Sequence, residues 1–221
     1  MTISSSSYTV GTQTFATKQS GDVINRVTQT GAASVSITEP EGVDMTREGR
    51  RFMLGNNAAI TGIAPVQTVQ TTAAQWGITN PATNTKTAVF DMLGVWLVSG
   101  TAGTTGNVVA VAPFTTPAQT SFTAGLAIAN CNPLSTATSA LVCKATITIT
   151  APTAPVWTPI AQSPSAASAA ILSLALVNYE IRGRIILPPG SSLALNVYGA
   201  AGSTPLFAPI ASWYEVESNN S

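Results

Sequence analysis

From residue 60 onward the chain alternates apolar and polar positions. The alternation is cleanest in KATITIT, residues 144–150, where Ala145, Ile147 and Ile149 interleave with Lys144, Thr146, Thr148 and Thr150. A strand there carries its apolar groups on one face and its hydroxyls on the other. The same reading gives strands at 88–99, 108–114, 122–129, 180–187, 193–198 and 205–216. Turn signals separate them: Ser99-Gly100, the glycines at 103 and 106, Asn132-Pro133, Pro188-Pro189-Gly190 and the stretch from Gly199 to Ser203. Short strands at such intervals predict an all-β fold, an antiparallel sandwich or barrel, without choosing among immunoglobulin-like, jelly-roll and other topologies.

Three stretches fall outside this rhythm. Residues 163–178, SPSAASAAILSLALVN, have good helix formers and an apolar run; we read a loop through Ala170 and a strand after it. Residues 1–38 are polar and weakly patterned, and predict an extended arm, because they offer little apolar surface to offset the entropy of ordering. Between arm and strands, PEGVDMTREGRRF at 40–52 predicts a short helix with Asp44 or Thr46 as N-cap. The resulting division is an arm with a charged linker over 1–52 and a β-sandwich over 53–221.

Charge sharpens that division. The 221 residues include nine Lys or Arg, nine Asp or Glu and no His, and only 8% of positions are charged against about a quarter in an ordinary domain. Between residues 39 and 51 stand Glu39, Glu41, Asp44, Arg47, Glu48, Arg50 and Arg51, whereas from Phe52 to Tyr179 the charges are Lys86, Asp91 and Lys144 alone. Such a surface repels its neighbours weakly and tolerates close contact with other subunits. It offers no basic patch for nucleic acid. No membrane partner is expected either, since the most apolar stretch, residues 166–177, is interrupted by Ser168 and Ser173 and falls short of the ~20 residues a bilayer requires. The first charge is Lys18, so the pattern of an N-terminal export signal is not met.

The inventory of reactive groups points away from an enzyme. Without His the chain lacks the commonest general base and transition-metal ligand, and Cys131 and Cys143 alone do not make a zinc site; we read them as buried free thiols, with a single hairpin disulfide as the alternative. GTAGTTG at 100–106 lacks the Lys-Ser or Lys-Thr of a phosphate loop. Two carboxylate pairs, Asp44 with Glu48 and Glu215 with Glu217, have the residue types that glycosidases use. The first has arginines at hand and the second lies near the C-terminus, where solvation is expected. No catalytic residue, metal site or cofactor is therefore assigned. Of the tryptophans, Trp96 and Trp213 lie in strand patterns and are expected in the core. Trp157 lies in the Pro-rich stretch APTAPVWTPIAQSP, and joins Glu39, Glu41, Asp44, Arg47, Glu48, Arg50 and Arg51 as a candidate interface residue.

Residues 183–217, GRIILPPGSSLALNVYGAAGSTPLFAPIASWYEVE, with 64–80 and 89–100, resemble a virion protein of tailed bacteriophages: a Leu-Pro-Pro-Gly turn, a Gly/Ala-rich hairpin and a closing Trp-x-Glu strand. The resemblance is to small β-sandwich or jelly-roll proteins of the phage particle, including head decoration or cement proteins. It implies a jelly-roll-like sandwich with an extended N-terminal arm, partnered by the major capsid protein of the phage head. It further implies a homotrimer, made in the host cytoplasm, on the capsid surface of the virion. A receptor-binding tail or fibre module reading host glycans, or a jelly-roll subunit that forms the shell itself, are the alternatives.

Overall fold

The computed structural model describes residues 24–27, 33–36, 42–55, 62–70, 72–100, 106–115, 119–120, 124–149, 155–162, 176–199 and 205–218. Most of the predicted arm, and the candidates Glu39 and Glu41, lie outside these residues. Strands β1 (Ile24–Val27) and β2 (Ala33–Ser36) pair with each other. Then follow the short helix α1 (Val43–Arg47) and strands β3 (Arg51–Gly55), β4 (Ala73–Asn80), β5 (Lys86–Ser99) and β6 (Asn107–Thr115). A group of four comes next: β7 (Gln119–Thr120), β8 (Ala124–Gly125), β9 (Ala127–Asn130) and β10 (Val142–Ile149). The chain closes with β11 (Thr158–Gln162), β12 (Leu176–Glu180), β13 (Ile186–Leu187), β14 (Ser191–Gly199) and β15 (Leu206–Glu217).

Two antiparallel sheets pack face to face. The first runs β12-β5-β15-β3-β9, with β13 on β5; the second runs β11-β6-β14-β4-β10-β7, with β8 on β10. Taken in chain order, β3, β4, β5, β6, β11, β12, β14 and β15 wind as an eight-strand jelly roll, four strands to a sheet. The segment between β6 and β11 is an insertion: β9 extends the first sheet beyond β3, and β10 extends the second beyond β4.

Alternation places the core. Phe52 and Leu54 of β3, Phe90, Leu93 and Val95 of β5 and Phe207 and Trp213 of β15 meet Trp76, Ile78, Val109, Val111, Leu193 and Leu195 from the second sheet. Trp213 stacks between Phe52 and Phe90, with ring centroids at 6.3 and 5.8 Å. Burying such rings is the main term that offsets chain entropy.

One seam departs from regular pairing. The β4–β14 ladder ends at Trp76 and Leu195, and at the next step side-chain amides replace the backbone bonds. The Gln75 N–H donates to Asn196 Oδ1 at 2.7 Å, and the Val197 N–H donates to Gln75 Oε1 at 2.5 Å. Beyond them Val66 takes over as the neighbour of β14, giving its N–H to Val197 O and accepting from the Gly199 N–H.

The strands at 88–99, 108–114, 144–150, 193–198 and 205–216 are all present within a few residues of their predicted bounds. The strand at 180–187 is not: β12 ends at Glu180, and Arg182 and Gly183 take positive φ of 49° and 74°. The turn is anchored by the Asp91 carbonyl, which accepts from the Ile181 and Arg182 N–H groups. The strand at 122–129 is broken at Leu126, whose N–H reaches across to Cys143 O. Strand β12 supplies the strand expected after Ala170, and residues 163–175 lie outside the described set.

Candidate interaction surface

The charged linker folds against the insertion. Helix α1 begins at Gly42, which sits at φ 86° and, in place of Asp44 or Thr46, is the N-cap. Thr46 instead turns its hydroxyl back to the Gly42 carbonyl at 2.9 Å. Asp44 stays in the first turn and Arg47 in the last, the arrangement that complements the helix dipole. The chain then reverses at Gly49, φ 71°, whose α-carbon lies so close to Ser135 that an added Cβ would stand 2.1 Å from its Oγ.

Two asparagines staple this turn to the loop between β9 and β10. Asn130 Nδ2 donates to Gly49 O at 2.8 Å and Ala137 O at 3.0 Å, while Asn132 Nδ2 donates to Arg47 O at 3.1 Å. The loop is pinned from below by Ser139, whose Oγ donates to Glu215 Oε1 at 2.5 Å. Trp213 Nε1 meets the same oxygen at 3.4 Å, and Arg50 Nε donates to the Glu215 carbonyl at 3.0 Å. Glu215 is thus buried in the foot of the sandwich, contrary to its expected solvation, while Glu217 stands exposed. The Glu215 carboxylate serves to hold the loop.

The result is a rigid platform at one end of the sandwich. At its tip stands Leu134, 91% exposed, in a turn closed by the Leu134 N–H on Asn132 Oδ1 and the Ser135 N–H on the Asn132 carbonyl. On the turn that Asn132 ties to this loop, the Arg47 and Glu48 side chains are 68% and 49% exposed. The other described charges of the cluster are paired: Asp44 lies 3.9 Å from Arg47, Arg50 meets Glu48 at 2.9 Å, and Arg51 meets Asp91 at 2.9 Å, half-buried. Among the described residues of the predicted interface set, Arg47 and Glu48 are the most outward-facing. Leu134 was missed, because a lone Leu after Asn-Pro reads as a turn residue and sequence carries no measure of its exposure.

Trp157 lies apart from this platform, just before edge strand β11. It is half-buried, with its indole N–H on Gln70 O at 2.7 Å and its ring edge-on to Tyr198 at 6.2 Å. Val156, next to it in sequence, and Val69, next to Gln70, stand exposed. Trp96 is not the core residue it was expected to be: it is half-exposed, belongs to neither buried cluster, and shares the outer face of the first sheet with Met92.

Both cysteines are free thiols. Cys143 is buried in β10 and burial pushes its thiol well up; Cys131 is raised by partial burial, opposed by the Arg51 guanidinium. Among the described residues no three His, Cys, Asp or Glu side chains gather as metal ligands, and no helix is long and apolar enough to cross a membrane. No family model, curated protein or solved structure matches the chain.

Proposed function

We propose that the chain is a non-enzymatic structural protein of a virus particle, a decoration or cement protein that docks on the assembled shell of a phage head through the α1 platform. Leu134 carries this reading. A leucine held in water by a bonded turn, on a loop that Asn132 ties to the turn bearing Arg47 and Glu48, is suited to an interface anchor, an apolar centre beside polar groups. The platform is already ordered, so docking immobilises little that was free. The strand order supports the reading as well, since jelly rolls recur in viral capsids, although they also serve lectins and cupins and the fold alone does not decide. The low charge and the resemblance of residues 183–217 to phage virion proteins point the same way.

The mechanism is linkage. A protein that binds the assembled shell of major capsid protein, but not its free subunits, stabilises the shell by RT ln(1 + [L]/Kd), repeated over many equivalent sites. The test is co-sedimentation with shells lacking the protein, together with the temperature at which those shells open. Saturable binding and a raised opening temperature are expected. Leu134→Lys is expected to weaken binding about tenfold or more, with unchanged thermal unfolding of the free protein. Shells that neither bind nor gain stability would end this reading.

The eight-strand winding favours one second reading, a jelly-roll subunit that builds the shell itself. Electron microscopy of the purified protein separates the two, because a shell subunit closes into particles alone and a cement protein does not.

A further inference from the structure

Between Gly62 and Gln70 the chain forms a strap that bonds first to one sheet and then to the other. Among the described residues, six hydrogen bonds hold it to the sandwich, and to each the strap contributes a backbone group. Ile63 exchanges N–H and carbonyl bonds with Phe207 of β15, while Val66 gives its N–H to Val197 O and accepts from the Gly199 N–H. The Ala64 carbonyl accepts from Gln75 Nε2, and the Gln70 carbonyl from Trp157 Nε1. Ile63 packs on the core, whereas the side chains of Ala64, Gln67, Thr68 and Val69 are exposed. Two glycines seat the strap: a Cβ on Gly62 would stand 2.7 Å from Leu206 Cβ, and one on Gly199 would stand 2.9 Å from Pro65 Cβ.

We propose that this strap is a built-in ligand of a peptide-binding groove, and that an extended, uncharged segment of a partner protein takes its place. The groove is the set of groups that bond the strap: the carbonyls of Phe207 and Val197, the N–H groups of Phe207 and Gly199, and the side-chain donors of Gln75 and Trp157. Such groups read a backbone more than a side-chain sequence, which is the chemistry of strand addition to a sheet. The place for a strand exists because the β4–β14 ladder ends at Trp76 and Leu195, so that beyond it β14 offers an edge the strap covers. The strap defines what fits. It is extended, carries no charge, and puts a proline where Gly199 leaves room; none of the groups that bond it is charged, so a charged segment would lose water there and gain no counter-charge. Held by exposed backbone bonds and little buried apolar surface, the strap opens at lower cost than the sandwich unfolds. While seated it competes with the partner, since a groove open in a fraction of molecules binds with its affinity reduced by that fraction. This proposal does not rest on the shell-docking reading. The strap lies at the Gly199 end of β14, whereas the Leu134 loop enters β10 at Val142, level with Thr79 and Ser192 at the other end.

The test uses the strap as probe: a labelled peptide of residues 62–70, GIAPVQTVQ, titrated with the full chain and followed by fluorescence anisotropy. Gly62→Val unseats the native strap and is expected to bind the peptide about tenfold or more tighter than wild type. An N-methyl group on the peptide's first valine removes the N–H that Val66 gives to Val197 O, and is expected to weaken binding about fivefold or more. Trp157→Phe, added to Gly62→Val, removes a groove donor and is expected to weaken it as well. Leu134→Lys is expected to leave peptide binding unchanged, so this proposal and the docking platform fail separately. Thermal unfolding of each variant separates a lost groove from a lost fold. Amide exchange of wild type tests the strap without any substitution: the Ile63, Val66 and Gly199 N–H groups are expected to exchange about tenfold or more faster than the ladder amides between β6 and β14. Strap amides that exchange no faster than that ladder overturn the proposal. So does a peptide that binds wild type and folded Gly62→Val equally, or one that loses nothing on N-methylation.

Discussion

Replacing Gln75 with Ala tests whether the side-chain seam between β4 and β14 holds the sandwich where its strands part. Gln75 is buried and bonds on two sides: Oε1 accepts from the Val197 N–H, and Nε2 donates to Ala64 O at 2.5 Å. Its removal leaves a buried donor and a buried acceptor without their partner, at about 1–3 kcal/mol each. It also removes a buried methylene worth about 0.8 kcal/mol. Side-chain entropy no longer lost on folding returns about 1–1.5 kcal/mol. The expected loss is about 3 kcal/mol, or roughly 6–12 °C in Tm for a domain of this size.

Denaturant unfolding of wild type and Gln75→Ala at one pH measures the loss, and amide exchange localises it: the Val197 N–H should exchange markedly faster. Asn196→Ala removes the acceptor of the Gln75 N–H and should cost a comparable amount. Because both amides bridge one widening gap, the double variant should cost less than the sum by about 1 kcal/mol or more. A loss below about 1 kcal/mol for Gln75→Ala, or unchanged Val197 exchange, would refute the claim that these amides replace the ladder.

Gly49→Ala should destabilise by about 2–4 kcal/mol, because a side chain at φ 71° is strained and its Cβ meets Ser135; equal stability by denaturant unfolding would contradict that packing. Thr146→Gly should stabilise by about 0.5–1 kcal/mol, since a β-branched residue at φ 53° in β10 costs more than glycine's entropy; a lower Tm would count against this. Stability should also fall above about pH 9. There the unfolded chain releases the Cys143 proton while the buried thiol keeps it, so the folded state binds more protons and loses up to about 1.4 kcal/mol per pH unit. Unfolding of wild type and Cys143→Ala at pH 8, 9 and 10 checks this, with a flatter profile expected from the variant.

The sandwich was legible wherever one strand face met water. Strand β10 shows it: Cys143, Ala145, Ile147 and Ile149 are buried and the residues between them are not. Strand β4, AAQWGITN, was missed as a strand for the opposite reason. It is buried on both faces from Ala74 to Asn80, so it has no alternation, and its Ala, Gly and Asn are poor strand formers. Strand β11 hid behind Pro159, a residue that edge strands tolerate and that here accompanies a register shift before Ala161. The turn at 181–185 was hidden by Ile185, Ile186 and Leu187, an apolar run that reads as strand although only β13 takes up ladder bonds. For the surface, the charged linker was readable and its partner was not. Nothing in NCNPLSTATSALV announces that Asn130 and Asn132 close on carbonyls more than 80 residues earlier in the chain.

Trp96 and Trp213 show most directly what alternation leaves open. Both lie in strands of strong apolar character, and both are large enough for burial to be worth several kcal/mol in a core. Their fates differ by register alone: Trp213 pairs with Phe90 and points inward, whereas Trp96 pairs with Ala208 and points out. The extra residue at Asp91, where the β5–β15 register shifts between Ser212 and Trp213, fixes that outcome. It turns Met92, Gly94 and Trp96 outward together, and it places the Asp91 carboxylate within 2.9 Å of Arg51. One bulge therefore sets both the outward facing of Trp96 and the ion pair with Arg51. Deleting Asp91 alone should reverse the facing of the β5 residues on one side of it and unfold the sheet, while Asp91→Asn should keep the bulge, lose the ion pair and leave Met92 and Trp96 outward. Quenching of tryptophan fluorescence by acrylamide reads the difference, with the accessible fraction unchanged in Asp91→Asn.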